Sequence, residues 1–429
     1  MANVVVDYNF YLLVMIAIVV YRMAVKHLPS RGQQTVLIVL SAFFLAQFSK
    51  APVFTVAVIH GFKFYWLPNG IPHFFLLMLC YVAGAVGIGA MMNRIKEKQQ
   101  RRPLLLIGSA LAVGTLILFK YDSYTHVLFG EASWLDELSA WHWVGLSYTT
   151  FRGIDFLLAM RSGRVKEFSI IASLAYMLFF VPIAAGPINR YQPFLKGYKK
   201  KDDSLWDLIR LRDNFFRASI GILKILFLAK WAYYNSILAD EFAAAGSPSF
   251  LELTWGLYAY YLFIYFDFSG YCDCVIVIAN CFGITLPENF RYPIISSSIQ
   301  DFWNRWHISL SHWCRDHFFF PILTSLSKRA SWIPQIVASS IAIFITFAII
   351  GAWHGDTIYW FLYGCYHGLG LAVFQIYNHL LKAYCPDFRD RMQQNWVYKA
   401  AMIFITFNFV AWGLLLTIEF EKAAMLMSL

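Results

Sequence analysis

Three stretches set ionisable and hydrogen-bonding side chains among apolar neighbours: Phe266-Asp267-Phe268-Ser269-Gly270-Tyr271, Leu286-Pro287-Glu288-Asn289-Phe290, and Asp301 to Ser311. The last reads Asp301-Phe302-Trp303-Asn304-Arg305-Trp306-His307-Ile308-Ser309-Leu310-Ser311 and continues to Trp313, Arg315, Asp316, His317 and Pro321. A fourth motif, Trp353-His354-Gly355-Asp356, follows an apolar run. A neutral imidazole in such a setting suits acyl transfer, in which a hydroxyl loses its proton as it attacks a thioester or ester carbonyl. Such a base contributes roughly 10²–10⁴ in rate. His354 precedes Gly355, where backbone or substrate can approach closely, and His307 lies between Trp306 and Ser309. The plain alternative for both is a structural, hydrogen-bonded histidine. Metal or haem fits less well. His307, His312 and His317 recur every five residues, about 140° apart on a helix, so they share no face. No carboxylate–histidine zinc motif occurs. His354 and His367 suit a haem, but nothing in the sequence demands one. The expectation is no metal and no bound cofactor.

These residues must be held in an unusual medium. Of 429 residues 59% are hydrophobic and 14% charged, where soluble domains carry about 25% charged. Runs such as Tyr8–Val25, Phe74–Met92, Leu104–Phe119, Ile336–Ala352, Thr357–Tyr377 and Ala400–Ile418 approach the roughly 17–25 apolar residues that cross a bilayer. The polar cluster is too polar to face lipid and too aromatic for a solvated loop, which places it on short helices inside a bundle. Ionisable groups at that depth mark function by default. The fold class expected is an all-α, multi-pass protein of the plasma or inner membrane.

The net charge of +10 sits in short clusters between apolar runs, as the positive-inside rule arranges it, and does not call for nucleic acid. The first run lacks a basic flank and small-residue cleavage site, and reads as a retained helix. Seven cysteines show no paired spacing and read as small hydrophobes. Basic residues at Arg22–Arg31, Arg94–Arg102, Lys328–Arg329 and Lys382–Lys399 mark the inside, and the acidic stretch Asp122–Glu137 the outside. The turn at Trp353–Asp356 then points outward. Two inside-looking loops flank the apolar run Phe168–Ile183, so a re-entrant hairpin broken at Pro182–Pro187 is expected. Asp207–Trp231 reads as an amphipathic surface helix, or as a face on which Arg210, Arg212 and Lys224 dock an acidic partner. No internal repeat of the transporter kind is found, which disfavours a transporter or flippase.

The motifs quoted, in this order, resemble the bacterial branch of the membrane-bound O-acyltransferase family. The likeness extends from about Leu146 to Ala372 through Leu146-Ser-Tyr-Thr-Thr-Phe-Arg152, Met160–Phe168 and Gly186-Pro-Ile-Asn-Arg-Tyr191. It implies one membrane domain with about 11 crossing helices around a tunnel, divided as 1–145, a catalytic core 146–378, and a C-terminal loop and helix 379–429. It implies His354 as catalytic and His307 as a second histidine of the same tunnel. Asp267, Ser269, Tyr271, Asn304, Arg305, Trp306, Ser309, Ser311 and Trp353 become candidate lining residues. Those three motifs and Asn304 favour the members that move D-alanyl groups to teichoic acid, from a phosphopantetheine thioester on an acidic carrier protein in the cytoplasm. Hydroxyls of an envelope polymer, or a partner transferase, accept the group outside. The alternative within the branch is O-acetylation of an exopolysaccharide of the alginate or cellulose type.

Overall fold

The computed structural model describes residues 8–47, 55–59, 62–66, 73–121, 145–163, 165, 167–199, 208–239, 242, 248–330, 332–355 and 357–418. The acidic loop 122–137 and Asp356 lie outside them. Apart from an antiparallel hairpin, β1 (Thr55–Ile59) with β2 (Phe62–Trp66), the regular elements described are helical. Five helices among the described residues are long and apolar enough to cross a membrane: Phe75–Arg94, Arg102–Lys120, Phe250–Cys281, Gln335–His354 and Trp396–Thr417. The protein is an all-α polytopic membrane protein, as its composition requires.

The chain forms two compact units, residues 1–218 with 274–287, and 219–273 with 288–429. The first holds α1 (Tyr8–His27), α2 (Ser30–Gln47), α3 (His73–Arg94), α4 (Arg102–Lys120), α5 (Leu146–Ser162), α6 (Ile170–Leu178) and α7 (Tyr191–Lys199). α6 has nine residues, about 13 Å of helix, less than half the roughly 30 Å of a hydrocarbon core. The expected break is present, but it starts at Phe179, ahead of the prolines. α5 supplies what the broken backbone needs. Arg152, 2% exposed, donates from Nη1 to Phe179 O at 2.7 Å and Met177 O at 3.3 Å. Asp155 Oδ2 accepts from Tyr191 N at 2.8 Å, and the Tyr176 hydroxyl donates to Asn189 O at 3.0 Å. Non-helical backbone survives at depth only where protein partners satisfy it. Around this loop pack Phe179, Phe180, Phe194 and Phe282, with Phe44 stacked on Phe180 at 4.2 Å.

α8 (Leu208–Leu223) passes through a π-turn (Lys224–Ala229) into α9 (Lys230–Tyr234). The second unit then holds much of α10 (Phe250–Cys281), α11 (Ile299–Trp303), α12 (Ile308–Cys314), a second π-turn (Arg315–Phe319), α13 (Phe320–Arg329), α14 (Gln335–His354), α15 (Ile358–Tyr384), α16 (Pro386–Gln394) and α17 (Trp396–Gly413). α14 and α15 pair as the expected hairpin, at glycine contacts. A side chain on Gly364 would strike Phe347 O and come within 2.8 Å of Gly351 Cα. α15 is absent from the apolar five because Tyr363, Tyr366, His367 and Gln375 interrupt it. One contact can be tested directly. Gly364→Ala forces the hairpin apart, at a cost of about 1–3 kcal/mol, and should lower the unfolding temperature in detergent. Gly114→Ala, with nothing within 4 Å of the added carbon, should not.

Candidate active site

In the second unit the polar cluster is built on one asparagine. Asn289, 1% exposed, accepts at Oδ1 from Ser309 N (3.1 Å) and Ser309 Oγ (2.8 Å), and donates from Nδ2 to Cys272 Sγ at 3.3 Å. Its backbone oxygen accepts from Ile308 N at 3.0 Å, and Arg291 N donates to Arg305 O at 2.9 Å. Segment 289–291 is thereby laced to 305–309, and His307 sits within the lacing. His307 has φ 44° and ψ 50° at the start of α12, a left-handed conformation that costs a non-glycine residue about 1–2 kcal/mol. Such strain persists where the surroundings over-determine it, and Asn289 provides the clamp.

The His307 ring is 4% exposed and meets Phe268 edge-on at 4.9 Å. Its Nε2 has no hydrogen-bond partner among the described residues. His354 ends α14 and is half-buried. Its ring lies 4.6 Å from that of Trp353 and 5.4 Å from Trp360, nearly parallel to the latter. Gly355 makes this possible, because any side chain there would run into the Trp360 indole. Both imidazoles, 47 positions apart in sequence (354 − 307), belong to the same compact unit.

The other sequence candidates divide. Trp306 stacks on Phe302 at 5.5 Å and Tyr261 at 5.7 Å, forming an aromatic wall. Ser309 is held by Asn289, while Ser269 is buried with its hydroxyl unpartnered among the described residues. Tyr271 is half-buried on α10. Arg305 is a brace, its Nε donating to Asp301 Oδ1 at 2.8 Å, while Asp301 Oδ2 accepts from Ser297 N at 3.2 Å. Asp267 shares a helical face with Phe263 and Gly270, which meet Tyr233 of α9 and Gly221 of α8. That face is about 100° from Phe268, the residue touching His307.

Asn304 and Ser311 line a cavity of about 280 Å³ between α11, α12, α14 and α15, together with Trp303, Arg315, Ser339 and Gln375. Gln375 Nε2 donates to Ser339 Oγ at 2.6 Å. The lining climbs α14 from Ser339 to Ile350, one turn short of His354. No local sequence pattern marks this cavity. The signal for Asn289 was an amide next to Phe290 and two residues after Pro287, in an apolar setting.

The docking face needs correction. Lys224 pairs with Asp273 at 2.8 Å, the two side chains 20% and 15% exposed. Of Arg210, Arg212 and Lys224 only Arg212 is exposed, and it contacts its neighbour Asp213. The outward residues of α8 are Leu208, Ile209, Phe215, Phe216 and Ile220. Exposed apolar residues of α8 thus accompany the exposed Arg212, while Lys224 is engaged by Asp273.

The membrane-bound O-acyltransferase family matches residues 137–417. The chain is similar to a teichoic acid D-alanyltransferase of Streptococcus thermophilus, 30% identical over 78% of this chain and 80% of the relative. It is similar to that of Bacillus subtilis, 33% identical over 63% and 67%, and to a peptidoglycan O-acetyltransferase of Helicobacter pylori, 27% identical over 87% and 73%.

Asn289→Ala should strand the Ser309 N–H and hydroxyl, at about 1–3 kcal/mol. Thermal unfolding in detergent checks this, with Asn289→Ala expected below Ser311→Ala, whose hydroxyl makes only a 3.4 Å contact with Trp306 O.

Proposed function

The chain belongs to the membrane-bound O-acyltransferase family, and from that premise we propose that it moves a D-alanyl group from a carrier-protein thioester to hydroxyls of a cell-envelope polymer such as teichoic acid. The family makes it a membrane-bound O-acyltransferase. The observation that carries the finer reading is the cavity rising along α14 to within a turn of His354. Lys328 and Arg329 precede α14, so the positive-inside rule puts its Ser339 end towards the cytoplasm. A phosphopantetheine arm entering there meets Arg315, half exposed, for its phosphate. Asn304, Ser339 and Gln375 offer hydrogen bonds to its amides, and its thioester is carried towards His354.

His354 acts as general base on a hydroxyl arriving from the other side. The alcohol oxygen bonds to the thioester carbon, the carbon–sulfur bond breaks, and the proton held by His354 passes to the departing thiolate. His307, whose backbone is clamped by Asn289, is a hydrogen-bonding partner in the same site. The D-alanyl group is favoured over acetyl by relatives named as D-alanyltransferases, while relatives named as alginate and peptidoglycan acetylases mark the alternative.

His354→Ala should lower acyl transfer by about 10²–10⁴ without changing the amount of protein in the membrane. Wild-type activity in that variant would overturn the assignment of His354. Supplying purified protein with D-alanyl-carrier or acetyl donor separates the two acyl groups. Turnover of the acetyl donor alone would favour the acetylase reading.

A further inference from the structure

The cavity beside α14 has a mouth whose chemistry differs from its interior. Among the residues lining it, Gln300, Asn304, His312 and Arg315 are exposed, and every one is polar. Trp303, Cys314, Ser339 and Leu371 are buried and belong to its inner wall. The four exposed residues form two pairs, each about one helical turn apart. Asn304 N donates to Gln300 O at 3.1 Å on α11. Arg315 N donates to His312 O where α12 runs into the π-turn. Spacings of three and four residues put the two side chains of each pair on one helical face. Two carboxamides on one element and two nitrogen bases on another therefore border the opening.

Its electrostatics favour an anion. No Asp or Glu is among the described residues that line the cavity. The acids of the neighbouring turns are already engaged. Asp301 accepts from Arg305 Nε and Ser297 N, and Asp316 Oδ1 accepts from Arg315 Nε at 3.1 Å. That last contact uses one of the five N–H donors of a guanidinium. An imidazole donates one N–H when neutral and two when charged, so His312 is a donor beside Arg315 in either state. Hydrogen bonds from such groups to phosphate oxygens are among the stronger ones in proteins. We propose that His312 and Arg315 together bind a phosphate ester at the mouth of the cavity, so that the site selects donors whose arm carries a phosphate. The inference rests on the proposed phosphopantetheine donor and adds His312, which the transfer chemistry does not use.

Binding of 4′-phosphopantetheine and of pantetheine to the full-length protein, in nanodiscs of neutral lipid, tests the site without turnover. Wild type should bind the phosphorylated compound at least about tenfold more tightly, as hydrogen bonds to a charged group allow. His312→Ala, at an exposed position, should lower that ratio about fivefold or more, with pantetheine binding within about twofold of wild type. A ratio unchanged in His312→Ala, a wild-type ratio near one, or an equal loss for both compounds would overturn the proposal. Loss of the ratio when phosphatidylglycerol replaces the neutral lipid would assign the site to a lipid headgroup, and would overturn it as well. D-alanyl transfer from the carrier thioester, measured with wild type in the same nanodiscs, keeps the two readings apart. Its absence sinks the donor assignment, whereas transfer with an unaltered phosphate preference in His312→Ala sinks only the role of His312.

Discussion

A polar group carried to membrane depth must bring its partner with it. That constraint shapes both units. In the first, α6 stops after nine residues and exposes carbonyls with no helical partner, and the buried Arg152 guanidinium gathers them. Asp155, one turn further along α5, takes the first amide of the next helix. In the second, Asn289 does the same for the backbone around His307. Without these side chains the chain would have to run straight through as helix, and no loop could hold a histidine inside the protein.

The same rule explains why the site is aromatic. Imidazoles packed against Phe268, Trp353 and Trp360 lose water without losing contact surface. His307 is buried, whereas His354, at the end of α14, is half-buried and keeps the access that the proposed base needs; the difference comes from depth, not from residue type.

Much of this was legible in the sequence because lipid penalises exceptions. Charged and amide residues inside apolar runs stood out, and among them Asn289 and Ser309 are bonded to each other beside His307. The hairpin with His354 at its turn followed from charge and hydropathy alone, and the broken span near Pro182 from two loops that needed the same side. What sequence could not supply was direction. Asp267 and Phe268 are neighbours in one motif, yet a helical step sends them to different faces. Lys224 looked like a surface cation until Asp273, 49 positions away, was seen beside it. α8 has the composition of a solvated amphipathic helix, but its apolar side is turned outward. Cavities arise from four helices meeting, and no local pattern announces them.

The central claim is that an activated acyl donor reaches the site of His354 from one side of the membrane and the hydroxyl that His354 deprotonates from the other. Sealed vesicles with the protein in known orientation test it, with thioester donor and hydroxyl acceptor placed in the same or opposite compartments. Transfer should require the donor on the side of Ser339 and the acceptor on the side of Gly355. Equal transfer with both reactants confined to one compartment would contradict it.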